Sequence, residues 1–325
     1  MATAQFLESP PAVMLLLAVG MVLVIKGGDL FVTSSVSIAY YARIPQAVIG
    51  STLVSLATTA PELAVSATAS FRGNPGLAIG NAVGSAIANI GLILGLLCIL
   101  RAMSVRARDF RVPSLTMLGA GVLMVVLTLP LRLARASGIL LLACGAGYLA
   151  ADYWRHRPRP GAMAETVDSS AGPSMSLRKS LAVFLIGAAV VVGGSRLLSD
   201  NAVKLATAMG VPPMIIGLTL VAFGTSLPEL VTAITAARKG VPQLSLGNVV
   251  GANILNITLV TGTAATITPL TMSRTTQAYN FPAMVAIFVL LLVLARTGRR
   301  LTHKEGWVLL AFYALYLVGL ILIRE

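Results

Sequence analysis

Two stretches decide how this chain folds: TLVSLATTAPEL at Thr52–Leu63 and TLVAFGTSLPEL at Thr219–Leu230. Each places a glutamate, Glu62 or Glu229, one residue after a proline inside an apolar run of membrane length. The two glutamates stand 167 residues apart, and that offset holds without a gap from Pro45/Pro212 through Gly50/Gly217 and Gly80/Gly247 to Asn89/Asn256. A repeat of this kind is read before any single motif, because it governs the whole architecture. A charged acid in a membrane span costs about 2.5–3.5 kcal/mol or more, so an intramembrane carboxylate is a functional candidate by default. Two of them, duplicated with their surroundings, point to a cation site built by both repeats.

The composition agrees. Of 325 residues, 57% are hydrophobic and 11% charged, with a mean hydropathy of +0.89. That is a polytopic membrane protein. The net charge of +13 would suggest nucleic acid in a soluble chain; here the basic residues read as cytoplasmic anchors, and no nucleic-acid partner is expected. Cys98 and Cys144 lie in apolar stretches and read as packing residues. The segment MATAQFLESPP lacks a basic n-region and carries Glu8, so no cleaved signal peptide is expected.

Hydropathy and Pro/Gly punctuation predict an all-α protein with ten transmembrane helices, near 11–40, 45–70, 75–100, 111–130, 136–155, 179–207, 212–237, 242–268, 276–297 and 303–323. Pro45, Pro75, Pro212 and Pro242 suit first helical turns. Sixteen basic residues, from Arg43 through Arg101 and Arg155 to Lys304, fall in loops that would share one side, against six on the other. The asymmetry puts the first side in the cytoplasm and both termini outside a cell (inner) membrane. With five helices per repeat, the second is inverted in the bilayer, a design of secondary transporters. The organisation expected is a first repeat at 11–155, a flexible cytoplasmic linker at 156–178 and an inverted second repeat at 179–323. The linker is rich in Pro, Gly and Ser and has no apolar periodicity.

The chemistry sits at the prolines. Pro61 has no N–H for the Ala57 carbonyl, nor Pro228 for that of Gly224, and a freed carbonyl at membrane depth must find a partner or line a polar cavity. Thr58, Thr59, Thr225 and Ser226 occupy the same broken turns. Each turn thus offers a carboxylate, two hydroxyls and backbone oxygens, the hard donors that Ca²⁺ and Na⁺ take. A proline kink with back-bonded hydroxyls would account for one copy, but not for a glutamate placed identically in both. GNAVGSAIANI (Gly80–Ile90) and GNVVGANILNI (Gly247–Ile257) add candidate ligands. Ser85 and Asn89 share a helix face, as do Ala252 and Asn256, so Asn89 and Asn256 can direct amide oxygens at the glutamates. Asn81 and Asn248 fall on a different face and read as structural. The GxxxG spacings alone mean packing.

Two ionised glutamates carry −2, which one Ca²⁺, two Na⁺ or two protons would each neutralise. Those loads exclude one another, and that exclusion is antiport. No resident cofactor is needed; the ions are cargo. The partners expected are inorganic cations and the lipid bilayer, with no obligate protein partner. A Ca²⁺/H⁺ or other cation/proton exchanger and a cation channel use similar ligands. An intramembrane enzyme would need a nucleophile–base pair, and the two histidines, His156 and His303, fall at the cytoplasmic loops and not within the bilayer.

The duplicated (G/A)-T-(S/T)-x-P-E-L, each copy followed by G-N-x-x-G, resembles the paired alpha-repeats of the calcium/cation antiporter superfamily, in its sodium/calcium exchanger branch of bacterial type. The resemblance implies Na⁺/Ca²⁺ antiport by alternating access. It also implies ion ligation by Thr58, Thr59, Glu62, Ser85 and Asn89 with Thr225, Ser226 and Glu229. The second, third, seventh and eighth helices would form the core, and the first and sixth would slide past it. Lys26, Asp29, Arg196 and Asp200 in that sliding pair read as interfacial or paired. The chain departs from the family pattern at Ala57, Ala86, Ala252 and Asn256; Ala252 removes a side-chain ligand. It lacks the G-N-A-T-E pattern of calcium/proton exchangers.

Overall fold

The computed structural model describes residues 10–156, 174–210, 222–297 and 299–323. The segments that fall outside them include most of the expected linker and the first half of the expected seventh span, with Pro212 and Gly217. The described chain is mostly helical: α1 (Pro10–Ala42), α2 (Gln46–Thr58), α3 (Ala60–Phe71), α4 (Pro75–Leu100), α5 (Ala107–Leu127), α6 (Arg135–His156), α7 (Leu177–Ala208), α8 (Ala222–Thr225), α9 (Leu227–Arg238), α10 (Pro242–Ile267), α11 (Thr276–Arg296) and α12 (His303–Leu322). Among the described residues eight helices are long and apolar enough to cross a bilayer, and α2 with α3 makes a ninth candidate as a pair bent by 43°.

That bend is local chemistry. The break falls at Thr59, two residues before Pro61, and its equivalent at Ser226, two before Pro228. Both residues have ψ near zero (−4° and 5°), which turns the chain out of the helix before the proline ring would clash with it. Each proline then sits in the first turn of the following half-helix, where a missing N–H costs nothing.

The centre of the molecule is α4 and α10. Their apolar windows are 72% and 94% buried, against 17–39% for the other spanning helices. Ile87, Ile90, Ile93 and Leu94 of α4 meet Val249, Val250, Ile254 and Ile257 of α10 in one core, flanked by Phe281 and Phe288 of α11. Lipid gives helices no hydrophobic reason to associate, so backbone proximity through small residues matters more. A Cβ on Gly247 would lie 2.0 Å from the Ala47 carbonyl oxygen, and one on Gly251 2.4 Å from that of Ser51. The second GxxxG is therefore the seam between α2 and α10.

α1 and α7 lie against each other antiparallel. Gly20 faces Leu198, Gly27 faces Val190, Gly187 faces Phe31 and Gly194 faces Leu23. Gly20/Gly187 and Gly27/Gly194 both stand at the repeat offset. Two further close approaches correspond: Gly95 of α4 with Gly306 of α12, and Gly262 of α10 with Gly138 of α6, Gly95/Gly262 at the same offset and Gly138/Gly306 one residue beyond it.

The all-α expectation needs one correction. Two short antiparallel ladders join the loops, β1 (Met103–Ser104) with β4 (Arg300–Leu301) and β2 (Arg132–Leu133) with β3 (Leu270–Thr271). The residues entering them, Leu131 and Arg299, both hold a left-handed φ, 57° and 51°. Two-residue strands have no periodicity for a sequence to reveal.

Candidate cation site

The breaks of α2/α3 and α8/α9 face each other across α4 and α10. Glu62 and Glu229 stand in the first turns of α3 and α9, where the N-terminal partial positive charge of the half-helix favours a carboxylate. Both are fully buried (0% exposed), and none of their four carboxylate oxygens has a hydrogen-bond partner. They lie close enough for each other's charge to be felt, with Ser85 turned towards Glu62 and Thr58 towards Glu229. Among the described residues no basic side chain pairs with either. Unpaired carboxylates in a water-poor interior are a standing penalty unless positive charge arrives from outside the protein.

The remaining candidates gather around them. Thr58, Thr59, Ser85 and Ser226 are buried, and Thr225 is half-buried. Ser226 Oγ donates to Ser85 Oγ at 3.3 Å, joining the second break to the first repeat's helix. Thr59 Oγ1 is buried with no partner. Asn89 donates through Nδ2 to Asn253 Oδ1 at 3.0 Å, which leaves its own Oδ1 unpartnered; Asn256 is buried with both amide atoms unpartnered. Neither asparagine is hydrogen-bonded to a glutamate. The buried set thus brings carboxylate, hydroxyl and amide oxygens together, the hard ligands that a cation such as Ca²⁺ takes.

Reading faces from sequence misplaced two residues. Asn81 and Asn248 touch the site hydroxyls: Thr225 Oγ1 donates to Asn81 Oδ1 at 3.3 Å, and Thr58 Oγ1 to Asn248 Oδ1 at 3.2 Å. α4 and α10 are each wedged between broken helices, so more than one of their faces meets the site. The signal was present, since the G-N pair is itself duplicated. Asn253 was missed for a different reason: its repeat equivalent is Ala86, so duplication does not mark it.

A further feature is a widening of the helical backbone beside the site. π-helical turns begin at Asn89 (Asn89–Leu94) and Asn256 (Asn256–Val260), and another precedes the first break (Gly50–Val54). Such wide turns gather at functional sites and leave backbone groups out of register.

Away from the glutamates, Asp29 pairs with Lys239 at 3.4 Å, so it is paired as expected. A third buried carboxylate, Asp152 of α6, was not singled out by sequence. It accepts from Ser51 Oγ at 3.3 Å and lies 3.4 Å from His156 Nδ1, while Tyr148 OH donates to the Ser51 carbonyl at 3.3 Å.

The sodium/calcium exchanger protein family model matches residues 12–154 and 179–322, both halves of the chain. The chain belongs to the sodium/calcium exchanger family. It is accordingly a multi-pass membrane transporter rather than an enzyme, from a family that handles inorganic cations. This exchanger-family chain is 33% identical to the sodium/calcium exchanger MaX1 of Methanosarcina acetivorans, over 94% of its own length and 97% of the relative's. It is 34% identical to the inner membrane protein YrbG of Escherichia coli, over 86% and 87%. Its fold matches that of the sodium-calcium exchanger NCX_Mj soaked with Na⁺ and Sr²⁺, with a TM-score of 0.83 and 30% identity over 96% and 99% of the two chains.

Proposed function

We propose that this protein is a secondary active antiporter that exchanges Ca²⁺ for Na⁺ at a midplane site between the two breaks. One observation carries the reading: two fully buried glutamates, unpaired and with all four oxygens free, set among the hydroxyls and amide oxygens of both repeats. The ligands are Glu62, Glu229, Thr58, Thr59, Thr225, Ser226, Ser85, Asn89 and Asn256. One Ca²⁺ balances the −2 site, and so do two Na⁺. An empty site carries unneutralised charge through a low-dielectric passage, so the loaded states cross and the empty state does not. That difference separates an exchanger from a channel, and membership of an exchanger family favours the first. The relative MaX1 is named a sodium/calcium exchanger, and NCX_Mj has been soaked with Na⁺ and Ca²⁺ as well as Na⁺ and Sr²⁺. Ca²⁺ and Na⁺ are cargo; the chemistry calls for no resident cofactor and no obligate protein partner.

The proposal includes ten spans in two inverted five-helix repeats, 11–155 and 179–323, joined by a cytoplasmic linker. The antiparallel packing of α1 on α7 supports the inversion, as do the matched glycine contacts at the repeat offset. The ladders support the side assignment: β1 with β4, and β2 with β3, each join loops expected on one face. The charge asymmetry puts the β1/β4 face and the linker in the cytoplasm and both termini outside.

The deciding experiment is radioactive calcium uptake into liposomes holding the purified protein, driven by an outward Na⁺ gradient, with Glu229→Gln alongside. Gradient-dependent uptake that the substitution abolishes is the expected result. Uptake driven by a proton gradient instead would move the assignment to Ca²⁺/H⁺ exchange. Uptake with no counter-ion requirement would make the protein a channel.

A further inference from the structure

We infer that Asn81 and Asn248 are positioning residues for the cation ligands. Each takes the hydroxyl proton of the threonine on the other repeat's broken helix, Thr225 or Thr58, and so turns that threonine's lone pairs towards the ion.

A hydroxyl has one proton and two lone pairs. Inside a helix the proton ordinarily goes back to the carbonyl three or four residues earlier. That is the rule in this protein: Thr33, Ser35, Thr52, Thr128, Thr258 and Thr266 all donate to their own helices at 2.7–2.8 Å. The threonine of the first break behaves differently. Thr58 reaches its own helix only loosely, at 3.4 Å to the Ser55 carbonyl, and donates across to Asn248 Oδ1 at 3.2 Å. Thr225 donates across to Asn81 Oδ1 at 3.3 Å. A threonine can ligate a cation only if its proton points elsewhere, and the acceptor that holds the proton sets the ligand's direction, as outer partners do in metal sites.

The two asparagines are not equally held. Asn81 is braced by donating to the Glu62 carbonyl at 3.1 Å and to Ser66 Oγ at 2.9 Å. Asn248 has no such brace, because Ala233 stands where the first repeat has Ser66, and its Nδ2 is fully buried without a partner. A buried amide with an unused donor is rare in a purely structural asparagine. Its persistence here fits a group whose acceptor atom is the one in use. The crossed arrangement also means that filling one threonine's coordination sphere pulls on the opposite repeat.

This inference rests on the cation-site reading above, and the experiment separates the two. Calcium binding to the full-length purified protein would be titrated calorimetrically, with uptake measured in liposomes. The variants are Thr58→Val, Thr225→Val, Asn81→Ala and Asn248→Ala, plus the matched doubles (58 with 248, 225 with 81) and the crossed doubles (58 with 81, 225 with 248). Each asparagine substitution should raise half-saturating Ca²⁺ by about 10-fold or more. Matched doubles should be no worse than their worse single, while crossed doubles multiply, because only the matched pairs share one bond. Asn248→Asp, which keeps the acceptor oxygen, should retain binding; it carries the test if an alanine variant does not fold, and loss of binding in it overturns the inference. Glu62→Gln tells the readings apart. If it abolishes binding and the matched doubles nonetheless multiply, the asparagine assignment fails alone. If it leaves binding intact, the cation site itself is wrong.

Discussion

Glu62 and Glu229 are placed where no protein group answers their charge, so the cation is part of their stability. Glu62→Gln removes an unpaired buried charge and should raise the melting temperature in the absence of ions. It should also remove the stabilisation by calcium, which for the native protein reaches about 2.7 kcal/mol at a hundredfold excess over Kd. Thermal melts with and without Ca²⁺ read both effects, and an unchanged calcium response in the variant would contradict the assignment. The glutamates and break hydroxyls were legible in sequence because duplication singled them out. Asn253 was not, because its equivalent Ala86 breaks the duplication. Asn81 and Asn248 were legible but misread, since a single-helix face says nothing about what packs on the other side.

The broken helices and the α2–α10 seam determine how those residues meet. The break itself was readable from Pro61 and Pro228. Its position at Thr59 and Ser226 was not, because it depends on where the backbone escapes the ring. The π-turns at Asn89 and Asn256 left no compositional trace, as they come from helix packing rather than propensity. Pro61→Ala would restore an N–H for the Ala57 carbonyl and withdraw an oxygen from the break. Calcium affinity should fall by about 10-fold, as when a ligand's support is lost, with no loss of thermal stability; calorimetry and melting measure the two separately. Gly247→Ala forces a Cβ to within 2.0 Å of the Ala47 carbonyl oxygen. Overpacking of this kind costs about 1–3 kcal/mol, so a lowered melting temperature is expected even with ions present.

At the scale of the whole molecule, the repeat was the most legible feature, and the inversion proposed for it rests on counting helices. The ladders were not legible, yet they offer the best handle on topology. Cysteine pairs at Ser104/Arg300 and at Arg132/Thr271 occupy facing ladder positions. In sealed vesicles of known orientation, a membrane-impermeant thiol reagent should label the two pairs from opposite faces. Labelling of both from one face would overturn the ten-span inverted arrangement.

The Asp152 cluster shows where the two halves part company. By the alignment that pairs Gly138 with Gly306 and Tyr148 with Tyr316, Asp152 corresponds to Leu320; at the 167-residue offset of the glutamates, Ser51 corresponds to Leu218. A polar clasp in the first repeat therefore has leucines at the equivalent sequence positions of the second. Two halves alike in every contact would leave the protein indifferent to which way it faced. Its preference at rest, and its response to the water on either side, must come from positions such as these, where the ancient copies have stopped agreeing.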